Sequence, residues 1–404
     1  MKSKIENILV VGFDTVAVAA SAKRAGYTVY AANYFGDTDL QRFCSKYMAM
    51  IEQAKGKSCG RIASNYKPEA FLEMVKSLSR KYRIDGLLLS SGLDDAFQVL
   101  QGLSEIVPIT GNSPEVIQNV REKRRFFDQL KLLEVPHPKT LIVNDVLEAK
   151  VAAEEIGYPV VVKPASGFGG ASIRLANSAK EIEKAFSDVT IVDENFLVQE
   201  FIRGVHASMS ILATSKNVEV LSINEQLLGL PLVFQREQFG YCGNIVPLHV
   251  KSATLEKCKD IAEKIALHFC LRGSNGIDMV ISESGTPYVI EVNPRFQGTL
   301  ECVERVLGIN VVEWHVKACL YDMLPQVKSA PSAFCTRLIL YAPKRVLVPN
   351  LTVFHEARDI PHEGSIVEEG EPLCSILTIG RKRGLSFKKA EKIANKIYGR
   401  LVPA

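Results

Sequence analysis

Over its first 110 or so residues the chain alternates short β-branched runs with amphipathic stretches, and this alternation restricts the fold more than any other feature. Residues 8–13 read as a buried strand, 16–25 as a helix stopped by Gly26, and 28–32 as a second strand. An amphipathic segment at 69–81 and the strand-like "IDGLLLSSG" continue the pattern. Strands that alternate with helices imply a parallel, Rossmann-like sheet. The dinucleotide glycine fingerprint is missing, because Gly12 stands alone before Phe13 and Asp14, so NAD is not expected and the turn reads as a plain βα connection. Asp14 also interrupts the apolar run that would otherwise outline a signal peptide, and no apolar segment reaches the length of a membrane span.

Further on the pattern changes. "GNSPEVIQNVREKRRFFDQLKLLEV" opens with a capped helix start at Ser113 and Pro114, and residues 146–156 return to helix. Segments 205–213, 218–224, 276–281 and 288–292 alternate like antiparallel strands around a helix at 254–269. From 334 onward the tail reads as short strands with frequent turns and a closing helix near 388–398. With 404 residues, 47% of them hydrophobic, several domains are expected: 1–110, 111–325 with a lid at about 157–204, and 326–404 as a small β-rich cap. A net charge of +4 gives no case for a nucleic-acid partner, and nine scattered cysteines fit a reduced, cytoplasmic protein.

Three stretches carry chemistry. "VVVKPASGFGGASIRL" delivers Lys163 from a strand into a loop formed by Ser166, Gly167, Phe168, Gly169, Gly170, Ala171 and Ser172. Glycine backbones let N–H groups approach phosphates closely and the lysine adds a full charge; an ordinary Gly-rich hairpin tip is the alternative. In "GIDMVISESGTPYVIEVNPRFQG", Asp278 and Glu291 lie on strands that a turn at 284–285 would pair, with Asn293 on the face of Glu291. Two carboxylates and an amide oxygen suit Mg2+ (or Mn2+), and Arg295 could meet charge developing on a transferred group; a solvated hairpin face is the alternative. In "FLVQEFIRGVHAS", Gln199, Glu200, Phe201 and Ile202 could border an adenine and His206 a ribose, or the stretch is an ordinary core strand.

The order and spacing of these pieces resemble the ATP-grasp superfamily over roughly residues 1–320. The resemblance implies an α/β and α+β ATP-grasp fold with an N-terminal Rossmann-like (pre-ATP-grasp) domain. It also implies ATP held by Lys123 and Lys163, with metal at Asp278, Glu291 and Asn293. The tail is similar to the cap of the biotin-carboxylase-like branch, and the whole chain resembles an archaeal group of predicted carboligases. Thr299 stands where that branch places a bicarbonate-activating acid, and Glu301 comes two residues late. The expected reaction is therefore ATP-dependent ligation of a small-molecule carboxylate to an amine, with Arg295 and Lys163 catalytic. A bicarbonate-activating carboxylase and a non-catalytic nucleotide-binding regulator are the rivals. The stretch "NEQLLGLPLVFQREQFGYCGNIVPL" is the expected substrate pocket: Arg236 for a carboxylate, Glu225 for an amine, Tyr241 and Asn244 shaping it, or simply a mobile surface loop. Cys242 has no histidine near in sequence except His249 and is expected to pack rather than react. The sequence leaves the oligomeric state open, and the resemblance adds a homodimer as one assembly, since dimers are common in similar enzymes.

Overall fold

The computed structural model describes residues 5–167, 169–170, 172–189, 195–327 and 331–404. The first sheet is parallel, with Asn7–Gly12 lying between Thr28–Asn33 and Gly86–Leu89 and with Lys46–Ala49 outside the second. Ile8, Leu9, Val10 and Val11 are all at most 1% exposed, since helices cover both faces of the central strand. The turns at its carboxyl ends, around Asp14 and Asp94–Asp95, face the rest of the molecule.

Ser113 caps the helix Pro114–Arg121, its hydroxyl accepting from the Val116 N–H at 3.4 Å. The stretch does not continue as one helix. Glu122 adopts an extended conformation (ψ 104°), and its carboxylate accepts from Arg124 N at 3.1 Å and Arg125 N at 2.8 Å, so it caps the next helix, Lys123–Leu132. The break turns Lys123, the first residue of that helix, inward to 7% exposure.

A second, antiparallel sheet places Phe196–Glu200 between Thr140–Val143 and Val160–Pro164, with Arg174–Ala176 at its edge. The helices Val146–Ile156 and Ala179–Ser187 bury Ala149, Ala153 and Ile182 with its core. The largest sheet has eight strands, in the order Pro287–Asn293, Gly273–Ser282, Gly204–Ala213, Val218–Leu228, Tyr241–Val246, Phe334–Tyr341, Pro372–Gly380 and Ala357–Arg358. One face packs on the helix Ser252–His268 through Met209, Ile211, Ile277 and Met279. The other meets Leu300–Leu307, Val311–Tyr321 and the first parallel sheet through Leu212, Val246 and Cys335.

Two details depart from the sequence reading. Residues 241–246, expected as pocket lining, form a strand whose Asn244 pairs with Arg337, so the tail extends the large sheet. The closing helix begins at Arg383, five residues before the expected start. A small sheet joins Ile366–Val367, Val346–Leu347 and Val402–Pro403. No helix among the described residues is long and apolar enough to cross a membrane.

His315 links two of these layers. Its Nδ1 accepts from Ser274 N at 2.7 Å, which leaves Nε2 to donate to the Thr110 carbonyl at 2.8 Å. Gly273 (φ +66°) makes room, because a Cβ there would fall 2.3 Å from the ring. Burial holds the imidazole down at about 4, with the bond to Thr110 opposing. As pH falls from 6.5 toward 4 the unfolded chain takes up a proton that the folded ring refuses, so stability drops by on the order of 3 kcal/mol. Subtracting the unfolding free energy of His315→Asn from that of the wild-type protein at each pH isolates this contribution, and the difference is expected to decline across that window.

Candidate functional site

The strand register of the large sheet brings the acidic residues together. Asp278 pairs directly with Glu291 and Gly276 with Asn293, while Asp278 also pairs with Ser208 on its other side. The polar row continues through Asn224, Gln226, Asn244 and Arg337 on successive strands. Asn293 donates to Asp278 at 3.0 Å, and Gln226 also hydrogen-bonds the Asp278 carboxylate. Burial, then the facing Glu291, push Asp278 up to about 7.

Cations crowd Glu291 from the opposite side. Arg121 and Lys123 each reach its carboxylate at 3.4 Å. Burial acts to raise Glu291, but Lys123, Arg121 and Lys163 together outweigh it and hold the group well below the ordinary carboxylate range. Burial and then Lys123 hold Lys163 down at about 8, with Glu291 opposing and Arg121 adding to the repulsion. Lys123 is lowered as well, by burial and then Arg121. Lys163 therefore lies within the field of both Lys123 and Glu291. Its ammonium donates to Gln199 Oε1 at 3.0 Å, and Gln199 donates to Thr140 at 2.8 Å.

Arg121 and Asp95 have no place in the sequence reading. Arg121 makes a bidentate pair with Asp95 at 2.7 and 2.8 Å, and the same carboxylate accepts from the Gly167 N–H at 3.1 Å. The neighbouring Asp94 takes Arg295 Nε at 2.9 Å, while Arg295 also donates to Asn293 Oδ1 at 3.1 Å and to its neighbour's carbonyl, Phe296 O, at 3.0 Å. The only hint in the sequence is the doubled aspartate in "GLDDAF", at the end of a parallel strand where such folds receive ligands.

The glycine loop docks on residues 239–241. Tyr241 N donates to Gly169 O at 2.9 Å, and Arg174 pairs with Glu237 at 2.7 Å. Ser166 and Ser172 border the loop; Phe168 and Ala171, also expected there, lie outside the described residues. Phe201 and His206 both face the Phe239 ring, with centroids 6.3 Å apart, and burial lowers His206. Ile202 is half-buried beside them, whereas the Glu200 carboxylate turns to the Lys139 N–H at 3.2 Å.

Two expected residues are placed differently, Glu225 and Arg236. Strand alternation turns Glu225 away from the face of Asn224 and Gln226, and it forms an ion pair with Arg383, one bond at 2.7 Å. Arg236, 65% exposed in its side chain, pairs with Glu369. Cys242 is fully buried, accepts from Leu230 N at 3.2 Å, and has its thiol pushed up by burial. Tyr241 and Asn244 do border the polar row, the Asn244 amide donating to the Tyr241 hydroxyl at 2.8 Å.

This geometry, with a loop-bearing antiparallel sheet facing a large sheet that carries opposed acids, is that of a nucleotide-clamping α/β fold. Residues 120–299 match the ATP-grasp domain family, and the chain carries an ATP-grasp domain. It is 25% identical over 394 residues to an uncharacterized protein of Methanocaldococcus jannaschii, covering 96% of this chain and 90% of that one. It is also 25% identical over 334 residues to the carbamoyl phosphate synthase large chain of Helicobacter pylori, where it spans 79% of its own length but only 30% of the relative's. Among solved structures it resembles biotin carboxylase from Campylobacter jejuni (TM-score 0.75, 18% identity, 99% and 92% of the two chains). It also resembles an L-amino acid ligase from Bacillus licheniformis (0.71, 17%, all of both chains). These likenesses establish the fold.

Gly170 (φ +72°) limits how the loop can dock, since a Cβ there would lie 2.1 Å from the Phe239 carbonyl oxygen. Gly170→Ala is expected to hold the loop off its platform and to speed tryptic cleavage between residues 163 and 180 roughly tenfold, with the global melting temperature little changed.

Proposed function

We propose that the protein is an ATP-dependent ligase that joins a carboxylate to an amine through an acyl phosphate and releases ADP and phosphate. One observation carries the reading: Glu291, opposed to Asp278, is simultaneously the partner of Lys123 and Arg121, beside Lys163. A cluster with cations at one end and opposed acids at the other matches a triphosphate with its counter-cation. The fold neighbours, a biotin carboxylase and an L-amino acid ligase, support the class.

In this reading Lys123, Lys163 and the loop N–H groups of Gly167, Gly169 and Gly170 take the phosphates, with Ser166 and Ser172 at the loop's edges. Phe201, Ile202 and His206 border base and ribose, and Gln199 fixes Lys163. Asp278, Glu291 and Asn293 would hold Mg2+ or Mn2+. No group of three or more His, Cys, Asp or Glu side chains converges as a metal site among the described residues. The set fits an ion that keeps water and phosphate ligands, because all its donors are hard oxygens and Asp278 is short of positive charge. When bound, the ion neutralises charge on the transferred phosphoryl group. The substrate carboxylate attacks the γ-phosphorus and ADP leaves; the amine nitrogen then attacks the acyl carbon, and phosphate leaves with a proton released. Arg295, aimed by Asp94 and Asn293, stabilises the anionic reacting group. A lid formed by about 157–204 keeps water from the acyl phosphate.

The bicarbonate reading draws on the biotin carboxylase likeness, but the acids argue against it. Glu301 is held by Arg358 at 3.1 and 3.2 Å and by Arg305 at 3.3 Å, and Thr299 contacts Ser210 at 2.9 Å. Measuring ADP release with bicarbonate, and with a panel of carboxylates plus amines, tests the two. Release with bicarbonate alone would overturn the ligase assignment. Glu291→Gln is expected to lower metal-dependent turnover at least about a hundredfold with an unchanged circular dichroism spectrum. Nucleotide affinity should fall about fivefold from pH 8 to 9, as the Lys163 ammonium loses its proton, and Lys163→Met should flatten that dependence.

A further inference from the structure

The turn after the first strand, "GFDT", takes no part in the nucleotide cradle, yet its Asp14 lies within the field of Arg295. In open parallel sheets this turn and the following helix N-terminus ordinarily receive an anion. Here the chain places its own carboxylate there: Asp14, just before the helix Val16–Arg24. Arg337, 5% exposed, donates to Asp14 at 2.9 Å and to Asp359 at 2.6 Å, and also to Gly298 O at 3.1 Å. Behind them lie Asp37 and Asp39, each 4% exposed. Asp39 accepts from Asp359 N at 3.0 Å and Ile360 N at 3.2 Å, and the Asp37 carboxylate faces Asp39, Asp359 and Asp14.

Two carboxylates thus share one guanidinium, with Asp37 and Asp39 behind them, both raised by burial and then by neighbouring acids. Asp14 and Asp359 keep 30% and 18% of their side chains open, so the uncompensated charge faces space. That space adjoins the reacting end, because the Arg295 guanidinium acts on both Asp14 and Asp278. A separate observation points to the same corner. Asn244, fully buried and paired in register with Arg337, gives its N–H to Tyr241, and its carbonyl oxygen finds no donor among the described residues. The Tyr241 hydroxyl and Arg337 Nη1 flank Gly298, at 3.3 and 3.5 Å from where a Cβ would stand. Surplus carboxylates and an orphaned acceptor call for a ligand that is cationic and rich in N–H donors.

We propose that Asp14, Asp359 and Asn244 form the subsite for the second substrate, and that this substrate enters as a protonated amine with its ammonium directed at the two carboxylates. The assignment rests on the ligase reading above, and it moves the amine from Glu225, which Arg383 occupies, to the opposite face of the sheet. An anionic co-substrate would be repelled here.

The test titrates the full chain at constant ionic strength with 1,4-diaminobutane and ethylammonium. Tetramethylammonium, which has charge but no N–H, and acetate serve as controls, and MgATP is titrated in parallel. The primary amines are expected to bind and to raise the melting temperature, and the controls to do neither. Asp14→Asn and Asp359→Asn should each weaken amine binding about tenfold or more, and Asp14→Glu should restore part of it. Equal amine affinity in wild type and both asparagine variants would overturn the subsite, as would tetramethylammonium binding as well as the amines, or no amine binding by a wild-type chain that does bind MgATP. Failure of the wild-type chain to bind MgATP would instead sink the ligase reading, leaving the amine titrations to decide the subsite.

Discussion

Glu291 is the charge on which the site depends. Arg121, Lys123 and Lys163 are brought close together away from water, and like charges so placed repel strongly in a low-dielectric setting. Glu291 satisfies part of this and Asp95 part, but Asp95 is committed to Arg121 and the Gly167 N–H. Burial first, and the neighbouring cations second, depress Lys123 and Lys163. Across the strand pair the imbalance reverses, because Asp278 faces Glu291 with no cation of its own in hydrogen-bonding reach among the described residues. One end of the cluster is short of anion and the other short of cation, and the proposed nucleotide with its counter-ion would relieve both.

Strand register produces that polarity, more than any single loop. Six neighbouring strands of the large sheet each contribute a polar side chain to one row, from Glu291 through Asp278, Ser208, Asn224 or Gln226, and Asn244 to Arg337. On the opposite face the same strands present Met209, Ile211, Ile223 and Met279 to the helix Ser252–His268. A slip of one residue would exchange these faces, so burying the apolar set also fixes where every polar group stands. The tail supplies Arg337, with Asp359 on its guanidinium, to the end of this row as well as extending the sheet.

What the sequence made legible follows from how local each signal is. Lys163, the glycine loop and the Asp278–Glu291 pair announce themselves within a strand, a turn or one hairpin. Arg121 does not, because it reads as a solvated helix residue until the break at Glu122 turns it inward. Arg337 lies in "FCTRLILY", which looks like any edge strand; only pairing with a strand almost a hundred residues earlier brings it to the cavity. Glu225 illustrates the converse. A charged residue in a polar stretch attracts attention, but its uncharged neighbours Asn224 and Gln226 face the site, and the alternation there is obscured by a register shift between Val220 and Ser222.

Asp94 and Asp95 show how the parallel sheet takes part by placing two arginines. One carboxylate aims Arg295 and the other fixes Arg121, so two adjacent residues on one loop set both guanidinium groups that bracket Glu291 and Asn293. Asp95 additionally holds the Gly167 N–H, the type of donor that a phosphate oxygen would use. A phosphate that takes this N–H competes with Asp95, and in doing so leaves Arg121 to be shared among Glu291, Asp95 and the new anion. The loop and the cations are therefore kept in position by a carboxylate of the chain itself, at some expense in affinity.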